Sequence, residues 1–76
     1  MTELQLMRDI GENIEMFLED SNMSQSQLAK EVGISKSTIS RYINGEMMPT
    51  LKTLINIAYV LLCDVGDLLP NNEFIK

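Results

Sequence analysis

The stretch from Ser24 to Gly45 constrains the fold more than any other, because it packs two helix starts and two helix stops into one short run. Ser24 followed three positions later by Gln27 is a capping box, in which each side chain serves the other residue's backbone N–H. Leu28, Ala29 and Val32 form the inward face of the helix that follows. Gly33 stops it, since glycine reaches the left-handed conformation a helix end needs. Ile34 plugs the turn, and Ser35 caps a second short helix that runs to about Ile43 and stops at Asn44-Gly45. Two short helices joined by Gly33-Ile34-Ser35 predict a helix-turn-helix over about 25–44, with small Ala29 where the helices cross.

The flanks supply the rest of a core. Ile10, Ile14, Phe17 and Leu18 recur at helical spacing and predict a first helix from about Leu6 to Asp20, broken by Ser21-Asn22. Glu46 to Pro49 is a loop, with one of Met47 and Met48 expected to fold back on the core. Thr50 caps a fourth helix, whose inward stripe is expected to be Leu51, Leu54, Ile55, Ala58, Leu61 and Leu62. Asp64 caps a short fifth helix carrying Val65, Leu68 and Leu69, closed by Pro70. The 71–76 tail is polar apart from Phe74 and Ile75. No segment alternates as a strand does, so the expected fold is all-α: five helices in one domain over 1–76.

Composition excludes several functions. Cys63 is the single cysteine and lies in an apolar stretch, so it cannot form an intramolecular disulfide and is expected to be a buried small hydrophobe. Without histidine, that lone thiol cannot anchor a structural zinc site, and no metal is expected. The longest apolar run, Ile57 to Cys63, falls far short of the ~20 residues a membrane helix needs. The start Met1-Thr2-Glu3 carries no basic-then-apolar leader, so a cytoplasmic location is expected. There is no nucleophile–base pair and no phosphate-binding glycine loop, so neither enzyme chemistry nor a cofactor is expected.

Charge is unevenly placed. The chain carries a net −5, and Glu3, Asp9, Glu12, Glu15, Glu19 and Asp20 stand against Arg8 alone in residues 1–20. Residues 30–52 are net positive through Lys30, Lys36, Arg41 and Lys52 against Glu31 and Glu46. The positive part thus coincides with the helix-turn-helix. On the helix after Ser35, Ile39, Tyr42 and Ile43 point inward, while Lys36, Ser37, Ser40, Arg41 and Asn44 share the opposite face. All five hydrogen-bond, and two are cationic, as befits a helix laid in the major groove of double-stranded DNA. Lys36, Ser37, Ser40 and Arg41 are the candidate base readers, with Arg41 able to donate two bonds to guanine.

The run Ser24-Gln25-Ser26-Gln27-Leu28-Ala29-Lys30-Glu31-Val32-Gly33-Ile34-Ser35-Lys36-Ser37-Thr38-Ile39-Ser40-Arg41-Tyr42-Ile43-Asn44-Gly45, then Pro49 and Leu51, resembles the phage-repressor type of helix-turn-helix, the Cro and lambda-repressor-like or XRE family. The resemblance covers about Ile10 to Leu69. It implies a five-helix lambda-repressor-like domain that binds operator DNA as a transcriptional regulator, usually as a dimer. It also implies phosphate contacts at Gln25 and Asn44. Ser24 and Lys52 are further phosphate candidates, because the free N–H groups and positive end of a helix suit a phosphate oxygen. Glu46, where many relatives carry a cation, and the acidic first helix imply more reliance on base contacts.

The expected function is therefore sequence-specific binding of a palindromic site by a repressor-like homodimer, with half-sites ~10 bp apart. Val65, Leu68, Leu69, Phe74 and Ile75 offer an apolar patch for the dimer. A second reading, suggested by the acidic body and Glu46, is a protein-interaction module on the same scaffold, binding a toxin or another repressor.

Overall fold

The computed structural model describes residues 1–70. They form five helices: α1 (Glu3–Asp20), α2 (Gln25–Val32), α3 (Lys36–Ile43), α4 (Leu51–Leu61) and α5 (Val65–Leu68). Phe74 and Ile75 lie outside the described residues.

Hydroxyl caps set most of the helix starts. The Ser24 Oγ accepts the Gln27 N–H at 3.1 Å, and the Gln27 Oε1 accepts the Ser24 N–H at 2.9 Å. Ser35 and Thr50 accept from Thr38 and Thr53 in the same way. Such a cap stabilises a helix by about 1 kcal/mol. The first helix starts three residues before the sequence reading, because Thr2 and Gln5 form a second capping box. Gly33 ends α2 at φ 85°, its N–H bonded to the Ala29 carbonyl.

The α3 helix packs on α1 and α2, α4 packs chiefly on α2 and α5, and α5 also reaches α1. Ile10, Ile14, Leu28, Ile39, Ile57 and Leu68 are fully buried, and among the described residues the buried set contains no polar or charged side chain. Met47 and Met48 both pack against this core, where one was expected.

Two features tie distant segments together. An added Cβ on Gly11 would fall on the carbonyl oxygens of Tyr42 and Ile43 and 2.9 Å from the Ile43 carbonyl carbon, so α1 meets the end of α3 backbone to backbone. The Asn13 Nδ2 donates to the carbonyls of Leu68 and Leu69, each at 3.1 Å, and so holds the end of α5 on α1. Asn13→Ala leaves those carbonyls without that donor and is expected to cost about 1–2 kcal/mol. Urea unfolding checks the cost, and faster hydrogen exchange confined to α5 checks the cause.

Three expectations are corrected. The inward face of α4 is Leu54, Ile57, Ala58 and Leu61, while Leu51, Ile55 and Leu62 stand in solvent. The α4 helix is apolar almost all round, so its own pattern does not mark which side meets α2. Leu68 is completely buried and cannot belong to a dimer surface, because the α5 turn drives it between α4 and α1. Cys63 is only half-buried, since the chain turns at Leu62 beside it. Burial, with the Asp67 and Asp64 carboxylates nearby, still raises its thiol pKa above the ordinary value.

Candidate nucleic-acid interface

The two helices of the motif are joined by three residues that are each held. The N–H groups of Gly33 and Ile34 both donate to the Ala29 carbonyl, at 2.8 and 3.0 Å. Ser35 is extended, and its Oγ accepts the Thr38 N–H at 3.1 Å. The same oxygen pairs with the Thr38 hydroxyl at 2.8 Å and the Ser37 hydroxyl at 3.1 Å. These bonds fix the direction in which α3 leaves the turn.

Burial of Ile39, Tyr42 and Ile43 fixes the rotation of α3 about its axis. Lys36, Ser37, Arg41 and Asn44 are then exposed on the far side, with Ser40 half-buried among them. All five sequence candidates on this helix thus share one face. Ser37 is already engaged by Ser35, so it has less hydrogen-bonding capacity left than a free serine.

Two cations on α3 have opposite relations to the helix dipole. Arg41 lies in the last turn, where a positive charge is favoured. Lys36 lies in the first turn, where it opposes the dipole by a few tenths of a kcal/mol. An anion placed there would offset that opposition. No acidic residue occupies the first turn of α2, α3 or α4, so the positive ends of these three helices are open to an outside anion.

At the start of α2, the capping box uses the N–H groups of Ser24 and Gln27, and those of Gln25 and Ser26 remain for an external acceptor. Gln25 is half-buried and Ser24 exposed. Ser26, absent from the sequence candidates, is exposed beside them; its place in the first turn after a cap is the signal that could have found it. Asn44 is the C-cap of α3, with its N–H on the Ser40 carbonyl at 2.9 Å and its side chain exposed. Gly45 follows at φ 73°, within 3.4 Å of the Arg8 backbone for any added Cβ, which seats the turn on α1. Lys52 is exposed one residue inside α4, on an element that packs chiefly on α2 and α5, and so is the candidate least tied to the α3 face.

Among the described residues, no His, Cys, Asp or Glu side chains group as metal ligands do, and no helix is long and apolar enough to cross a membrane.

Comparison with known proteins agrees with this geometry. The chain is 38% identical over 47 residues to the cryptic phage CTXphi transcriptional repressor RstR of Vibrio cholerae, a match covering 62% of this chain and 42% of that protein. The chain thus spans less than half the length of this curated relative. An HTH_3 family transcriptional regulator from Vibrio cholerae superposes with a TM-score of 0.82 at 24% identity, over 88% of this chain and 38% of the other. Hydroxypropylphosphonic acid epoxidase from S. wedmorenis superposes at 0.80 with 30% identity, over 86% of this chain and only 35% of the enzyme. The helix-turn-helix family model matches residues 14–68, which takes in both motif helices and the core they stand on, and the chain belongs to that family.

Proposed function

We propose that the chain is the DNA-binding domain of a repressor-like transcriptional regulator that reads a palindromic operator in the major groove as a homodimer. The observation that carries this reading is the α3 face, where Lys36, Ser37, Ser40, Arg41 and Asn44 offer donors and acceptors with no carboxylate among them. Support comes also from the likeness to a phage transcriptional repressor. The family and that likeness mark a regulator and not an enzyme, the epoxidase sharing only the fold of about a third of its chain.

Roles follow from position. Arg41 and Lys36 read bases, with Ser40 and Ser37 at short range. Gln25 and Ser24, at the start of α2, seat a phosphate on its open N–H groups, and Asn44 and Lys52 hold the backbone on either side. The acidic α1 and the net charge of −5 keep the sequence-independent phosphate attraction small, so base contacts carry more of the affinity.

A salt titration tests this. Binding to a selected duplex should weaken as salt rises, with log K falling about 0.9 per neutralised phosphate for each unit of log salt. Lys52→Ala should reduce that slope by about one and leave base preference unchanged. Failure to retain any duplex from a randomised pool at low salt would instead favour a protein-interaction module.

A further inference from the structure

We propose that the outward face of α4 is where two copies of this chain pair, with the two α4 helices antiparallel. The inference rests on the dimeric part of the reading above and names the surface that makes it.

Leu51, Ile55, Tyr59 and Leu62 recur at i, i+4, i+8 and i+11 and so share one face of α4 and its C-cap. Their exposures are 67%, 49%, 81% and 92%. Single exposed leucines are ordinary, but a continuous stripe of four large apolar side chains is what interfaces present. Gln27, Lys30 and Glu31 of α2 line a groove with Tyr59 and Leu62, giving the stripe a polar rim.

Leu62 adds an independent observation. It caps α4 at φ 58°, in the left-handed region, and is almost wholly exposed. Glycine or asparagine suits such a position, and another residue there is strained by about 1–2 kcal/mol. A leucine held there meets both the strain and the exposure, and a partner surface relieves the second.

Charge selects the occupant and its direction. The N-terminus of α4, with no acidic residue in its first turn, makes one end of the stripe positive, whereas Asp64 and Asp67 follow its other end. A second copy laid antiparallel brings each positive end to a negative one, and places Leu51 opposite the partner's Leu62 and Ile55 opposite the partner's Tyr59. A parallel pairing sets like charges together. Because α4 packs chiefly on α2 and α5, pairing here leaves the α3 face open to DNA. A face this small buries less than about 1,200 Å² in total, so the dimer is weak alone and strengthens on a duplex with two half-sites.

The test is sedimentation of the full chain across a dilution series, alone and with duplexes carrying one or two half-sites. The wild type should show a monomer–dimer equilibrium, tightened by the two-site duplex. Leu62→Asn and Tyr59→Glu should each shift it about tenfold or more toward monomer, while Leu69→Asn, on the α5 side, should not. Leu62→Asn should melt no lower than wild type, because asparagine suits the left-handed cap; a merely structural leucine would give a lower melt. That variant should bind one half-site normally and lose cooperativity on two. A wild type that stays monomeric alone and on two-site DNA, or a dimer that survives both substitutions, overturns the proposal. A dimer lost in both variants by a chain that binds no duplex upholds this surface and overturns the DNA reading instead.

Discussion

Gly11→Ala should unfold the domain at markedly lower temperature, although helix propensity alone predicts the opposite. Gly11 is buried in the middle of α1, where alanine would normally stabilise by roughly 0.5–1 kcal/mol. The new Cβ has to displace the backbone of Tyr42 and Ile43, which is fixed by the last turn of α3 and has no flexible end to move. Overpacking of this kind costs about 3 kcal/mol or more, which outweighs the propensity gain. For a domain of this size the net loss of about 2–2.5 kcal/mol lowers Tm by roughly 8–20 °C. A thermal melt followed by circular dichroism checks it, and a melt equal to or above wild type would show that α1 and α3 do not meet at Gly11. Since α1 braces α3 there, the variant should also bind DNA more weakly than its folded fraction explains.

Arg41→Ala should leave the melt nearly unchanged and damage recognition. The side chain is exposed and the core lies on the other side of α3. Removing a bidentate guanine contact costs about 1–3 kcal/mol, or roughly 5–150-fold in affinity. The loss should concentrate at one base pair of each half-site, where the variant accepts all four bases alike. Uniform weakening across sequences would make Arg41 a phosphate contact. Lys36→Ala provides the comparison, with loss of an anion contact at the start of α3 and relief of its opposition to the helix dipole.

How far the sequence discloses the structure depends on how far apart the interacting residues are. The caps at Ser24, Ser35 and Thr50 and the stop at Gly33 are legible because each is a bargain struck within a few residues. The start of α1 at Glu3 rests on an equally local device, the Thr2 and Gln5 capping box, which lies ahead of the apolar stripe. The α3 face is legible for the same local reason: an amphipathic pattern with three inward residues fixes the other side. Gly11 and Asn13 carry no such signal, since their partners lie some thirty and fifty residues away. The α4 stripe fails differently. Leu51, Leu54, Ile55, Ile57, Leu61 and Leu62 are equally apolar, and only packing against α2 decides which are covered. The surplus on the other side is what the dimer proposal explains. The same ambiguity hides the burial of Leu68, in a helix too short to show a period.

The central claim is that α3 reads base edges in duplex DNA. Selection of bound duplexes from a randomised pool, at low salt and with the full chain, tests it most directly. The expected result is an enriched inverted repeat with half-sites about 10 bp apart, and loss of preference at one base pair per half-site with Arg41→Ala. A pool from which nothing is retained, or one enriched identically by wild type and Arg41→Ala, would contradict it.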